Sequence, residues 1–158
     1  MKALPGLLKL ELTFDDETFT EQGPLFLYAS SVFEFEGDEK KKEIARSSLV
    51  SAIQYNPKHQ EEMMGLCVRR CYDANEGIAL NYSLTVSEAV TSPGDVMYPL
   101  LPVLCLAFYK MTDSKLSVRR SAAELLHWLS TRFFRTHLEL LFHYSAAQSR
   151  ENYTRQLV

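Results

Sequence analysis

The chain contains 158 residues, of which 46% are hydrophobic and 23% are charged, and its formal net charge is −3. These values are typical of one globular domain and argue against a largely disordered chain. A charge this small creates no field strong enough to attract nucleic acid or an anionic membrane surface. Lys9 and Glu11 interrupt the apolar run at the N-terminus, so we expect neither a signal peptide nor a membrane span.

Residues 1–42 have the least regular pattern of the chain. The stretches LKLELTF and VFEFE alternate apolar and polar residues as short strands do, although a helix is also compatible with this segment. We therefore divide the chain into an irregular N-terminal segment at residues 1–42, a helical-repeat domain at 43–148 and a polar tail at 149–158.

Residues 43–148 have the periodicity of α-helices separated by short breaks. The breaks include the dipeptide NP at 56–57 and the stretch SPGD at 92–95. The 96–111 stretch is almost wholly apolar, so we expect a buried helix of about three turns there. The predicted helices occupy residues 43–55, 59–72, 74–92, 96–111, 117–134 and 136–147.

The clearest helix is predicted between Ser117 and Phe134, with Ser117 as its N-cap residue. Its apolar residues recur every three or four positions and predict one buried stripe, formed by Val118, Ala122, Leu125, Leu129 and Phe133. The opposite face carries Arg120, Glu124, His127 and Thr131, with Trp128 at the flank. We expect this helix to pack between the 96–111 and 136–147 helices.

Taken in pairs, the helices begin near Glu43, Ala74 and Ser117, at spacings of roughly 31 and 43 residues, comparable with the ~40–47 residues of HEAT and armadillo units. The predicted fold class is therefore all-α, with stacked helical hairpins that form a HEAT/armadillo-like α-solenoid fragment. An ordinary helical bundle is the alternative.

The sequence carries no motif of catalysis or cofactor binding. It has no G-x-S-x-G element and its glycines are isolated, which excludes a nucleophile elbow and a phosphate-binding loop. Cys67 and Cys71 lie four residues apart on one predicted helix face, but Cys105 and the histidines lack the spacing of a zinc site. We interpret the three cysteines as small core residues and predict a non-enzymatic chain without metal or cofactor.

Two arginine pairs are the candidate partner-binding residues: Arg69, Arg70, Arg119 and Arg120. The pairs lie in successive predicted hairpins, where their guanidinium groups would form a basic stripe suited to an acidic protein partner. The alternative is local pairing, of Arg120 with Glu124 and of Arg69 or Arg70 with Asp73.

Several segments resemble the central cell-morphogenesis region of the Furry family, in the family's order and at similar separations. They are GPLF at 23–26, YNP at 55–57, VRRCYD at 68–73 and LLPVLCLAFYKMTDSKLSVRRSAAELLHWLSTRFF at 100–134. Between Phe26 and Glu43 the chain lacks the family's aromatic-rich helix with a DGY…KWLD-like motif. It is also much shorter than a typical member, so we expect a fragment of a longer protein or a truncated gene product.

The resemblance implies a very long helical-repeat protein that acts as a non-catalytic scaffold for NDR-type kinases and their Mob co-activators. The implied processes are cell morphogenesis, polarised growth and neurite patterning, and the implied location is the cytoplasm, including the cell cortex. Some animal members are linked to microtubules, so a cytoskeleton-binding module is the alternative function, followed by a purely structural helical bundle. The family offers no catalytic residues to carry over.

Overall fold

The computed structural model describes residues 23–132, and every regular element within this range is helical. The all-α class predicted from the sequence is confirmed for this range. The elements are α1 (Pro24–Phe35), α2 (Glu39–Tyr55), a 3₁₀ turn (Pro57–His59), α3 (Gln60–Arg70), α4 (Glu76–Thr91), α5 (Leu100–Lys110) and α6, which is helical from residue 116 to residue 132.

Polar side chains set the starts of α2 and α4. The Asp38 carboxylate accepts the N–H of Lys40 at 3.0 Å, and the Asn75 side chain accepts the N–H of Ile78 at 3.0 Å. These contacts satisfy first-turn N–H groups that have no partner within the helix. As a result, α2 begins four residues before its predicted start and α4 begins two residues after its own.

The prediction that Ser117 caps the last helix is wrong. The Asp113 carboxylate accepts the N–H of Lys115 at 2.8 Å, and a helical hydrogen bond of 3.1 Å runs from the Arg119 N–H to the Lys115 carbonyl. The turn built on Asp113 therefore starts α6 before Ser117, which lies in the first helical turn and is exposed.

Helix α1 corrects the prediction for the N-terminal segment. The stretch VFEFE forms its end, so the strand expectation is wrong there and the helical alternative is right. Leu25, Ala29 and Phe33 repeat every four residues and are buried, whereas Phe35 is exposed. Packing of this stripe outweighs a short alternation of apolar and polar residues. Residues 39–42 likewise form the first turn of α2, while LKLELTF lies outside the described residues.

Helix α4 lies at the centre of the described fold, because it contacts α1, α2 and α3. Its Tyr82 is fully buried and packs edge-on against Phe33, with 5.1 Å between the ring centres. The Tyr82 hydroxyl lies 2.7 Å from Oγ of Ser30. A buried aromatic ring whose hydroxyl is paired contributes both apolar contact and a fixed orientation, so Tyr82 holds α1 against α4.

The hairpins α3–α4 and α5–α6 have the same turn, displaced by forty residues. Both first helices contain 11 residues. In the turn between α3 and α4, the Asp73 N–H donates to the Arg70 carbonyl at 3.1 Å, and the Asp73 carboxylate accepts the Asn75 N–H at 2.8 Å. In the turn between α5 and α6, the Asp113 N–H donates to the Lys110 carbonyl at 3.1 Å, and the Asp113 carboxylate accepts the Lys115 N–H at 2.8 Å.

The two hairpins also bury equivalent positions. The first buries Met63, Leu66, Cys67, Ile78 and Tyr82, and the second buries their counterparts Val103, Leu106, Ala107, Val118 and Ala122. The starts of α4 and α6 are forty residues apart, compared with the predicted 43. The predicted pairs, which began near Glu43, Ala74 and Ser117, joined α2 with α3 and α4 with α5, whereas the equivalence at forty residues joins α3 with α4 and α5 with α6.

The apolar stripe predicted for the last helix is confirmed within the described residues. Val118, Ala122, Leu125 and Leu129 are buried, and Arg120, Glu124, His127 and Thr131 are exposed. Trp128 is half-buried at the flank, as predicted. Phe133 and the predicted 136–147 helix lie outside the described residues.

The prediction of a buried helix at 96–111 is only partly right. Helix α5 is shorter, and its inward face consists of Val103, Leu106 and Ala107. Leu101 and Phe108 are 69% and 61% exposed. Cys105 is exposed as well, so its assignment to the core is wrong. A helix that is apolar on every side buries only the face that meets a neighbour, and the described residues cover one face of α5.

Candidate partner-binding surface

Two of the four candidate arginines contact turns of the chain itself. Nη1 of Arg70 lies 3.4 Å from the Asp73 carboxylate, which confirms the local pairing for this arginine. Nη1 of Arg119 donates to the backbone carbonyls of Asp113 and Ser114 at 2.7 and 3.0 Å. The planar guanidinium group presents several donors at once, so each arginine stabilises the turn of its own hairpin.

Arg69 and Arg120 are exposed, but the two hairpins do not place them at equivalent positions. Tyr109 is the counterpart of Arg69 forty residues further on, and Leu80 is the counterpart of Arg120 forty residues earlier. The two exposed arginines therefore lie on different helices of their hairpins. Within the described chain no ion pair joins Arg120 to Glu124, so the local alternative does not apply to that pair.

Tyr72 and Tyr109 form an exposed aromatic pair that the sequence did not single out. Their ring centres are 5.2 Å apart, and the residues are 49% and 57% exposed. Tyr72 lies in the turn after α3, where its N–H donates to the Arg69 carbonyl at 3.3 Å. Partial burial raises the pKa of Tyr72, so its hydroxyl stays protonated at neutral pH. We refer to Arg69, Tyr72 and Tyr109 as the turn surface.

The turn surface combines the side chains that most often carry binding energy between proteins. Exposed tyrosine and arginine are enriched among such residues, and two rings that already contact each other lose little conformational freedom on binding. The guanidinium group of Arg69 suits a carboxylate. Lys110 adds positive charge nearby, with its Nζ 5.5 Å from the centre of the Tyr109 ring. The surface is therefore suited to an acidic protein segment that also carries apolar side chains.

Cys67 and Cys71 are core residues, as predicted. The Cys71 thiol donates to the Cys67 carbonyl at 3.1 Å. Burial raises the pKa of Cys71 to about 12, and burial together with the neighbouring Cys71 raises the pKa of Cys67. Among residues 23–132, no three His, Cys, Asp or Glu side chains are grouped so that they hold a metal ion.

We expect one fast-reacting thiol per folded chain. Because the thiolate is the nucleophile, Cys67 and Cys71 should react with Ellman's reagent at least about a hundredfold more slowly than the exposed Cys105. The measurement is the absorbance time course in buffer and in denaturant, where all three thiols should react together. Cys105→Ser is the control and should remove the fast phase. A fast phase that survives this substitution would contradict the buried positions of the other two cysteines.

Comparison of the chain with protein-family models, with curated proteins and with solved structures finds no match. Within residues 23–132, no helix combines the length and the apolar character needed to cross a membrane. The likeness to the Furry family therefore rests on the sequence segments alone.

Proposed function

We propose that the chain is part of a helical-repeat scaffold that binds protein partners and has no catalytic role. One observation carries this proposal: the hairpins α3–α4 and α5–α6 share helix length, turn contacts and buried positions at an interval of forty residues. This interval matches the ~40–47 residues of HEAT and armadillo units, which stack into α-solenoids. The stacked hairpins of a solenoid offer long surfaces on which protein segments bind.

The chemistry of the partner follows from the turn surface. The guanidinium group of Arg69 and the rings of Tyr72 and Tyr109 suit an acidic segment. Because Arg70 and Arg119 contact turns of their own hairpins, we propose the turn surface as the binding site in place of the stripe of four arginines. The resemblance to the Furry family makes an NDR-type kinase with its Mob co-activator the proposed partner. The proposed role is in cell morphogenesis and polarised growth, in the cytoplasm or at the cell cortex.

The double variant Arg69→Glu and Tyr109→Ala should bind a purified kinase–Mob complex about tenfold or more weakly than the wild-type chain, because it reverses one charge and removes one aromatic contact. Biolayer interferometry at two salt concentrations measures this change. The weakening should be larger at low salt, since exposed charges act mainly on the association rate. The far-ultraviolet spectrum should stay unchanged because both side chains are exposed.

The matched control is the double variant Lys58→Glu and Phe35→Ala. It makes the same change in charge and removes another exposed aromatic ring, but on the 3₁₀ turn and on α1. Its affinity should stay within about twofold of the wild type. Equal weakening of binding in both double variants would exclude the turn surface as the binding site. A wild-type chain that does not bind the complex would exclude this partner, and co-sedimentation with microtubules would then favour the cytoskeletal alternative.

A further inference from the structure

A polar cleft lies between the turn that follows α3 and the turn that follows α5. Its volume is about 210 Å³. The charged residues that line it are Asp73, Glu76, Lys110, Asp113 and Lys115. Tyr109 of the turn surface lines it as well, so the cleft opens beside that surface. We refer to this feature as the inter-turn cleft.

Lys110 is a buried cation in the wall of the inter-turn cleft. The residue is only 8% exposed, and lysine is almost never buried to this extent without a partner. Within residues 23–132 its ammonium group forms no hydrogen bond and no ion pair, and its one recorded contact is with the ring of Tyr109. A buried ammonium group without an acceptor lowers stability, which a binding site tolerates because the ligand supplies the acceptor.

The acidic residues of the cleft already have partners. The Asp73 carboxylate lies 3.4 Å from Nη1 of Arg70, and the Asp113 carboxylate accepts the N–H of Lys115 at 2.8 Å. The Glu76 carboxylate lies 3.9 Å from Nζ of Lys115. Of the charged groups that line the cleft, the Lys110 ammonium group is therefore the one without an ionic partner in the described chain.

The preceding hairpin shows what this position does elsewhere in the fold. Arg70 is the counterpart of Lys110 forty residues earlier, and it pairs with Asp73 in the turn of its own hairpin. The counterpart of Asp73 is Asp113, and within the described residues no ion pair joins it to Lys110. The first hairpin thus supplies an acceptor for its cation, and the second leaves its cation facing the cleft.

We propose that the Lys110 ammonium group binds the carboxylate of one Asp or Glu side chain of the acidic partner segment, an inference that rests on the proposed binding role of the turn surface. Tyr109 belongs to that surface and also lines the cleft, so a segment that crosses the rings can place one side chain in the cleft. The volume of the cleft equals that of about seven water molecules, at about 30 Å³ each, which accommodates the end of an acidic side chain.

The lining of the cleft selects a carboxylate over a phosphate group. A phosphorylated side chain carries a charge of about −1.5 to −2 at pH 7. The carboxylates of Asp73, Glu76 and Asp113 repel this charge more strongly than the single charge of Asp or Glu. The lysine is a compact single charge, which one carboxylate neutralises. The partner segment is therefore acidic through its amino-acid composition and not through phosphorylation.

Fluorescence anisotropy of labelled peptides with the full chain tests this site. The probes are the peptide EGFEGFE, its counterpart QGFQGFQ, and the same peptide with phosphoserine in place of each glutamate. The wild-type chain should bind EGFEGFE about tenfold more tightly than QGFQGFQ, because a hydrogen bond to a buried charged group contributes about that factor. The phosphoserine peptide should bind more weakly than EGFEGFE. Lys110→Met removes the charge and keeps the apolar stem, so it should reduce the preference for glutamate to about twofold.

Lys115→Met is the matched control, because it removes the same charge from an exposed position of the same cleft. It should keep the preference for glutamate. Equal loss of the preference in both lysine variants, a preference that survives Lys110→Met, or tighter binding of the phosphoserine peptide would overturn the proposal. So would equal binding of EGFEGFE and QGFQGFQ by the wild-type chain. Weaker peptide binding by the double variant Arg69→Glu and Tyr109→Ala, with no effect of Lys110→Met, would overturn this site alone and leave the proposed function standing.

Urea denaturation gives a second measurement that needs no peptide. Lys110→Met should raise the urea midpoint of the free chain, since it removes a buried charge that has no acceptor. A residue with a purely structural role would have the opposite effect. A lower midpoint would mean that Lys110 stabilises the fold through an acceptor within the chain, and it would overturn the proposal.

Discussion

Replacement of Leu125 by Asp is expected to unfold the hairpin formed by α5 and α6. Leu125 is 3% exposed and lines a small apolar cavity with Leu106, Ala107 and Ala122. A carboxylate at this position loses its hydration, and the contacts of the leucine side chain are lost as well. The free energy of unfolding should fall by about 4 kcal/mol or more. Urea denaturation followed by circular dichroism measures this loss.

Two further variants separate the causes of the Leu125→Asp effect. Lys110 lines the same cavity, so Leu125→Asn, which cannot form an ion pair, tests whether the new carboxylate binds the lysine. Similar losses in both variants would assign the effect to burial of a polar group. Ala123→Asp, exposed on the same helix, should change stability by no more than about 0.5 kcal/mol. If Leu125→Asp were as stable as Ala123→Asp, the inward orientation of the α6 stripe would be contradicted.

Long helices with regular apolar spacing could be predicted from the sequence, and their ends could not. The stripe of α6 was identified correctly because four apolar positions repeat with the helical period over more than two turns. The helix starts were misplaced because several polar residues near each start are equally good caps. In the structure, backbone N–H groups at the starts are accepted by the side chains of Asp38, Asn75 and Asp113. The same errors lengthened the predicted interval between the starts of α4 and α6 from forty residues to 43.

Burial was predicted less well than helicity, since it depends on neighbours that periodicity does not show. VFEFE alternates like a strand over five residues, yet Phe33 alone is buried because it faces Tyr82 on α4. Helix α5 is apolar on every side, and which side packs is decided by α3 and α6. The exposure of Cys105 follows from that choice and has no signal in the sequence.

For the candidate site as well, the exposure of some residues could be predicted from the sequence and their neighbours in space could not. Exposed arginines were predicted, and Arg69 and Arg120 are exposed. Their neighbours were not predicted, because Tyr72 and Tyr109 belong to different hairpins and meet only when α3 and α5 pack together. The turn roles of Arg70 and Arg119 depend on backbone geometry after a helix end, which residue type alone does not fix.

Gly77→Ala is expected to lower the free energy of unfolding by about 3 kcal/mol, although alanine favours helix more than glycine does. A Cβ atom at Gly77 would overlap the backbone carbonyl oxygen of Phe33 and would lie 3.2 Å from Oδ1 of Asn75. Rotation of a side chain cannot relieve an overlap with backbone, so α1 must move away from α4. Helix propensity alone counts Gly77 as a weak point of α4, whereas the structure shows that it permits the close approach of α1.

Gly65→Ala is the matched control, because Gly65 lies in the middle of α3 and a Cβ atom there meets nothing within 4 Å. This variant should raise the free energy of unfolding, by up to about 1 kcal/mol, through helix propensity alone. The same substitution should therefore have opposite signs at the two glycines, measured by urea denaturation of both variants. A gain in both would mean that α1 does not pack against the start of α4. In that case the hydrogen bond between Ser30 and Tyr82 would have to be absent as well, and Tyr82→Phe would then leave stability unchanged.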